Sequence, residues 1–359
     1  MHIRAERDDL ADVLSRAARA VGTRSPIDAL QGVLCEVVGK KISVTGSDLE
    51  MTVRTSLEVE VKEEGTVLIP ARLAAEAVRK LPPGAVTMKT DDSEVEITGH
   101  GPSIRLRQLN VDDYPHIETS DDAAGSEIAG KELVDAINQV VIAASGDDAR
   151  PMLTGVKVEP IEGGFRMAAT DSYRLAVRDL LGSDLPVGGL IPARGLKEIG
   201  RTVTDDKIRL SVGTRMATVS SERGSLTVRL IEATFPNYQQ LLPDSYPNSL
   251  TVKKGDLLSA IDRASLVAED HIPVRLDVGD NGVTVSVTRQ EVGGTSERVE
   301  GSFSGEPFQI AFNPRYLADG ISAVDDDEIV LDAQDGHKAG ILRGANTPGF
   351  TYLLMPVRI

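Results

Sequence analysis

Residues able to do chemistry are present, but their spacing assembles no catalytic set. The run Gly125-Ser126-Glu127-Ile128-Ala129-Gly130-Lys131-Glu132 has the Gly-x4-Gly-Lys spacing of a phosphate-binding loop. Such a loop needs a Ser or Thr after the lysine to hold magnesium, and a strand before it. Glu132 follows the lysine here, and the stretch Ser120 to Ser126 reads as an acidic connection rather than a strand. His2, His100, His116, His271 and His337 are scattered, with no His-x3-His pair to grip zinc. Asp325-Asp326-Asp327-Glu328 reads as a solvated turn between a helix and a strand. Cys35 is the one cysteine, which excludes an internal disulfide framework and an all-cysteine metal site. No nucleophile, base and orienting acid can be grouped. No catalytic residue, cofactor or metal is therefore expected. A carboxylate-dependent nuclease or hydrolase is the enzyme alternative, and the scattered acids give it no constellation.

Basic side chains remain, and helices must position them. At about 100° per residue, Arg72 and Arg79 fall about 20° apart, opposite a face carrying Leu73, Ala77 and Leu81. Arg194, Lys197 and Arg201 fall within about 60° of one another, away from Leu196, Ile199 and Val203. Arg315 stands at a third such place, with Asp319 beside it. An arginine at a helix N-terminus is opposed by the helix dipole, so its return three times points to a use. Arg16 and Arg19 share their side with Asp8 and Asp12 and weigh less. The chain carries 55 acidic and 39 basic side chains, a net of −16. That excludes a chain-wide grip on phosphates, so any DNA role must rest on a local basic face or on topology. Aromatics are 3%, with no Trp, which argues against base-stacking platforms.

The elements repeat. Leu68-Ile69-Pro70-Ala71-Arg72 returns as Leu190-Ile191-Pro192-Ala193-Arg194, and more loosely as Ala311-Phe312-Asn313-Pro314-Arg315. Pro70, Pro192 and Pro314 are spaced by 122 residues. DDLADVLSRA, KELVDAINQV and GDLLSAIDRA place Leu10, Leu133 and Leu257 at steps of 123 and 124. The 359 residues are thus three units of single-domain size. Each unit reads as a short strand, then an amphipathic helix with Leu10, Val13, Leu14, Ala17 and Val21 on one face. Strands follow, then a second helix opened near a proline, then three more strands. The fold class is α+β, with two amphipathic helices packed on antiparallel sheets in each of three tandem domains. Their expected spans are 1–120, 125–245 and 247–359, divided at the acidic stretch and at Pro243 to Asn248. No apolar run approaches the ~20 residues of a membrane helix. The start, MHIRAERDD, lacks the apolar core of a signal peptide, so a cytoplasmic location is expected.

The sequence resembles the bacterial DNA polymerase III beta subunit family, the sliding clamps, over essentially the whole chain. The resemblance rests on the threefold repeat and on Thr45-Gly46-Ser47-Asp48-Leu49-Glu50, Ala169-Thr170-Asp171-Ser172-Tyr173-Arg174-Leu175, Phe235-Pro236-Asn237-Tyr238 and Tyr352-Leu353-Leu354-Met355-Pro356-Val357-Arg358. It implies three DNA-clamp domains per chain and a closed ring formed by a head-to-tail dimer. Helices then line the hole and double-stranded DNA runs through it. Helix spacing alone demands two copies. Six helices at about 9 Å span roughly 17 Å across their axes and leave no hole. Twelve span about 34 Å, and removing about 10 Å of helix body leaves about 24 Å for the duplex.

The resemblance assigns Arg24 and Arg150 to DNA contact beside Arg72, Arg79, Arg194, Lys197 and Arg201, although Asp147 and Asp148 next to Arg150 depart from a phosphate-binding loop. It also implies a groove for short peptide motifs of the polymerase III alpha subunit, the clamp loader, other DNA polymerases and repair proteins. Matched motif by motif, one side of that groove is Leu153, Thr170, Ser172, Tyr173, Arg174 and Leu175. The other is Pro236, Gln240, Leu241, Leu353, Met355, Pro356 and Val357. Ile104 and Leu106 with Leu266 and Val267 are implied at the dimer interface. A specialised paralogue, kept for instance for tolerance to a clamp-binding antibiotic, is the alternative within the family.

Overall fold

The computed structural model describes residues 1–22, 25–117, 125–202, 205–243, 245–268 and 272–358. Each repeat contributes two helices. They are α1 (Arg7–Ala18) and α2 (Ala71–Lys80), α3 (Gly130–Val141) and α4 (Ala193–Thr202), and α5 (Lys254–Ser265) and α6 (Pro314–Ala323). The chain divides into two compact units, Met1–Leu133 with Leu185–Leu230, and Val134–Asp184 with Ile231–Ile359.

In the first unit, α1 places Asp8 and Asp9 in its first turn and Arg16 in its last, in keeping with the helix dipole. Leu10, Leu14 and Ala17 are fully buried, and Val13 and Val21 nearly so, as their spacing requires. They lie in one core with Ala74 and Val78 of α2 and with Val33, Ile42, Val44, Met88 and Ile97 from the strands. Gly46 lets α1 come close, since a Cβ there would stand 2.1 Å from the carbonyl oxygen of Ala17. A five-stranded antiparallel sheet runs Glu60–Glu63, His2–Glu6, Ala85–Thr90, Glu94–Thr98, Ser103–Arg107. An eight-stranded sheet runs Gly125–Ala129, Lys207–Val212, Met216–Ser221, Gly224–Arg229, Met51–Glu58, Lys41–Ser47, Gly32–Val38, Gly65–Pro70. That second sheet crosses from one repeat into the next where Gly224 to Val228 pair with Thr55 to Met51.

In the second unit the strand order is Gly155–Ile161, Gly164–Thr170, Arg174–Leu181, Phe350–Leu354, Gly340–Gly344, Glu328–Ala333, Asn248–Lys253, Gly293–Ser304, Gly282–Arg289, Val274–Gly279, Phe308–Phe312. Repeats two and three join where Arg174 to Arg178 pair with Leu354 to Phe350. Both junctions follow one rule: the last strand of a repeat adds to the third long strand of the repeat before it.

Three sequence expectations shift. Gly125–Ala129 is a strand paired with Lys207–Val212, and Gly130 and Lys131 simply open α3, so the phosphate-loop spacing is spent on an edge strand and a helix start. Pro70 precedes its helix, but Pro314 is the first residue of its own, with Asn313 as the cap accepting from the Tyr316 amide. The true counterpart of Pro70 is therefore Asn313, and the second period shortens by one residue. Arg72, Arg194 and Arg315 then all occupy the second helical position. Finally, Leu73 was expected on the core face of α2, yet it is 53% exposed, while Ala77 and Leu81 are buried.

Candidate functional site

The turn at Asp171 shows why its motif is spelled as it is. Ser172 is one of two described non-glycine residues with a left-handed backbone, at φ 83°; the other is Leu49 at φ 73°, at the same place in the first repeat. Such residues cost about 1–3 kcal/mol unless the surroundings hold them. Asp171 Oδ1 does so by accepting from the amides of Tyr173 at 2.9 Å and Arg174 at 3.1 Å. Thr170 Oγ1 accepts from the Ser172 amide at 3.2 Å. Asp48 and Ser47 repeat both arrangements around Leu49.

The turn aims Tyr173 outward, 61% exposed, and Arg174 inward. Arg174 Nε donates to Asp171 Oδ2 at 2.9 Å and Nη1 to Asp319 Oδ2 at 2.7 Å. Its Cζ lies 4.1 Å from the centre of the Tyr316 ring. Burial opposes the charge, but Tyr352, Asp319 and Asp171 outweigh it and hold the guanidinium above its ordinary pKa. Burial also raises the Tyr352 phenol, which donates to the Tyr316 carbonyl at 2.9 Å. Arg174 is thus a fixed cation in the wall, with both carboxylate partners on the protein.

The C-terminal run completes the site. Past the strand Phe350–Leu354, the Met355 amide donates to Tyr173 O at 2.9 Å and the Val357 amide to Ala311 O at 2.8 Å. These bonds pin an apolar tail that would otherwise be loose. Leu241, Met355 and Val357 are 48%, 44% and 39% exposed and form an apolar rim with Tyr173, Pro236 and Gln240. Beneath it Leu175 and Leu353 are buried with Tyr238 and Ile341, and Leu153 and Thr170 are also buried. Of the groove residues named from the sequence, these four and Arg174 form the floor, while Ser172, Tyr173, Pro236, Gln240, Leu241, Met355, Pro356 and Val357 reach solvent. A cavity of about 830 Å³ flanks the tail, lined by Met355, Pro356, Val357 and Arg358 with Gln309, Ala311, Gly336 and His337. Sequence reasoning missed that second wall, and it missed Asp319 and Tyr316 as the holders of Arg174. Asp171 was visible as a local motif, but Asp319 lies 145 positions from Arg174 and carries no signal of contact.

The basic residues point to solvent, and most are already engaged. Arg194 is paired with Asp48 and Arg201 with Glu198 at 2.8 Å. Arg150 binds Asp147 at 3.0 Å and Ser172 Oγ at 3.3 Å, so the acid that departs from the expected loop serves to hold it. The Ala149 amide and Arg150 keep the Asp147 carboxyl below its usual pKa. Arg79 donates to Ser15 Oγ at 2.7 Å. Arg72 and Lys197 are exposed and show no ion pair among the described residues. Exposed pairs are worth ~0–1 kcal/mol, so a phosphate could displace them cheaply. Arg24 lies outside the described residues.

At the implied interface, Leu266 is 85% exposed and Val267 is half-buried, both just beyond the end of α5. Ile104 is partly buried, and Leu106 is 4% exposed within its own core. Leu106 therefore supports its own domain and offers little to a partner. Among the described residues no group of His, Cys, Asp and Glu could hold a metal ion, and no helix is long and apolar enough to cross a membrane.

With this geometry in hand, the comparisons agree on one family. Models of the N-terminal, central and C-terminal domains of the DNA polymerase III beta subunit match residues 1–118, 127–237 and 239–358. The beta sliding clamp of Streptomyces coelicolor is 33% identical, over 100% of both chains. The beta sliding clamp homolog GriR of Streptomyces muensis is 30% identical, over 100% of this chain and 99% of its own. The crystal structure of the Bacillus subtilis DNA polymerase sliding clamp matches at TM-score 0.94 and 25% identity, over 100% of this chain and 99% of that one. A Bartonella birtlesii sliding clamp bound to griselimycin matches at TM-score 0.94 and 26% identity, over 100% of both chains. The chain belongs to the DNA polymerase III beta subunit family. It is a DNA sliding clamp of three tandem clamp domains, a non-catalytic processivity factor of replication.

Proposed function

We propose that two copies of this chain close head to tail into a ring around duplex DNA, and that the Tyr173–Met355 groove tethers short peptide tails of the polymerase III alpha subunit, the clamp loader and repair proteins. The observation that carries the ring is the doubled junction rule. Gly224–Arg229 adds to Met51–Glu58, and Phe350–Leu354 adds to Arg174–Leu181. Continued once more, Ser103–Arg107 of one copy adds to Gly293–Ser304 of the next, and six domains close. Ser103–Arg107 ends its sheet, and Gly293 to Glu300 pair on one side only. Applying the same register sets Arg107 opposite Gly293 and Ile104 opposite Ser296. Arg105 and Arg107 then face an edge that carries Glu297 and Glu300, a favourable cross-strand arrangement.

The groove supports peptide tethering by its chemistry: an apolar rim, a methionine that adapts its shape, and a fixed guanidinium at the floor. Arg72, Arg194 and Lys197 support a pore face whose grip is weak enough to slide, and the net charge of −16 discourages the rest of the surface from holding DNA. Sedimentation of the full chain tests the ring. Twice the 38.3 kDa chain mass at micromolar concentration is expected; a single mass of one chain at every concentration contradicts it. The 30% likeness to GriR keeps one second reading, a specialised paralogue with the same ring and an altered groove.

A further inference from the structure

The second helix of each repeat presents one face three times, and twice that face is covered inside the chain. Counted from the first helical residue, position three is Leu73, Gly195 or Tyr316, and position six is Glu76, Glu198 or Asp319. In α6 both positions meet the preceding repeat: Tyr316 stacks on the Arg174 guanidinium and Asp319 bonds it at 2.7 Å. In α4, Glu198 lies 3.6 Å from Arg19, and Arg194 beside it pairs with Asp48. Arginine–carboxylate pairs thus hold both internal joints. In α2 the same face stands open among the described residues. Leu73 is 53% exposed on a helix whose other leucine-sized and alanine neighbours Ala74, Ala77 and Val78 are buried.

The arginines that receive those carboxylates have no counterpart in the third repeat. Arg19 is the residue that caps the C-terminus of α1; its equivalent after α5, a helix of the same 12 residues, is Leu266. Arg174 opens its strand; the equivalent strand opens with Gly293, and Val292 just before it is 59% exposed. Leu266, at 85%, is the most exposed large apolar side chain described. A leucine and a glycine therefore stand where the internal joints place arginines.

We propose that Leu73 of one copy packs on Leu266 of a second copy, an apolar clasp at the closing joint where the internal joints use ion pairs. The proposal rests on the ring reading above and adds to it a residue, Leu73, and a physical consequence. Exposed ion pairs weaken with salt, whereas apolar contacts do not. The ring should therefore stay closed at ionic strengths that loosen charge-held contacts.

Sedimentation velocity of the full chain, at about 0.1 M and about 1 M sodium chloride with Debye lengths of roughly 10 and 3 Å, tests this. Wild-type dimer affinity is expected to change little between the two. Leu73→Asp and Leu266→Asp should each weaken the dimer about tenfold or more, with an unchanged thermal transition because both side chains are exposed. Leu73→Arg combined with Leu266→Glu should restore the dimer at low salt and lose it at high salt. A dimer as tight in Leu73→Asp as in wild type overturns the clasp and leaves the ring standing, as does a double variant no tighter than its single parents. A wild-type chain that is monomeric throughout overturns the ring reading, and the clasp with it.

Discussion

At the level of single residues, the groove separates into side chains that hold the fold and side chains that meet a partner. Tyr173 and Met355 are exposed, whereas Leu175 is buried in the layer beneath them. Tyr173→Ala with Met355→Ala should weaken binding of a polymerase C-terminal peptide by about 2 kcal/mol, roughly thirtyfold, with the dimer and thermal transition unchanged. Calorimetric titration checks the first part and sedimentation the second. Leu175→Ala should instead cost ~2–5 kcal/mol of stability by leaving a cavity. The motif around Asp171 was legible in the sequence because a turn is local. The depth of Leu175, Leu353 and Leu106 was not, because an apolar residue in a motif looks the same whether it lines a groove or supports it. Asp326 offers a second residue-level test. It accepts from the amides of Asn346, Glu328 and Thr347, which hold its pKa at about 2. A depressed carboxylate stabilises its loop fully above its unfolded value of about 4 and loses that contribution as pH falls toward 2. The Asn346 amide shift, followed by NMR, should titrate with a midpoint near 2; an ordinary midpoint near 4 would contradict the loop geometry.

At the level of elements, periodicity identified the helices and their buried stripes, since α1 buries the residues its spacing names. It misjudged Leu73, because a ten-residue helix has little stripe to average over and one leucine on the flank reads as core. The segment reading MTVRTSLEVEV divides into Met51–Glu58 and Glu60–Glu63, which pair in different sheets. Alternation cannot reveal such a division, because both halves have the same period and neither names its neighbour. The proline period was likewise off by one in the third repeat, where Asn313 takes over the cap and Pro314 moves into the first turn, a place that tolerates it. The packing of α1 on the strand Lys41–Ser47 depends on the missing side chain of Gly46. Gly46→Ala sets a methyl group against the Ala17 carbonyl and should cost about 3 kcal/mol. Chemical denaturation checks this: a lowered midpoint with unchanged slope is expected, and an unshifted midpoint would mean that α1 can move away freely.

At the level of the whole molecule, the threefold repeat was the plainest signal, and it led through helix counting to the need for a second copy. What the sequence could not supply was the strand junction between repeats, because pairing across an edge is set by backbone geometry and not by side-chain pattern. The two junctions inside the chain turn a family resemblance into a physical proposal for closure, since the same edge rule leaves Ser103–Arg107 and Gly293–Ser304 to meet between copies. A net charge of −16 with engaged arginines means that the clamp should hold DNA by enclosing it rather than by binding it. The most direct measurement is retention after clamp-loader-assisted loading on nicked circular DNA, followed by linearisation with a restriction enzyme. The clamp should remain on the circle through gel filtration at high salt and leave promptly once the DNA has ends. Equal retention on circular and linear DNA, falling with salt on both, would contradict enclosure and point to a chain that grips phosphates.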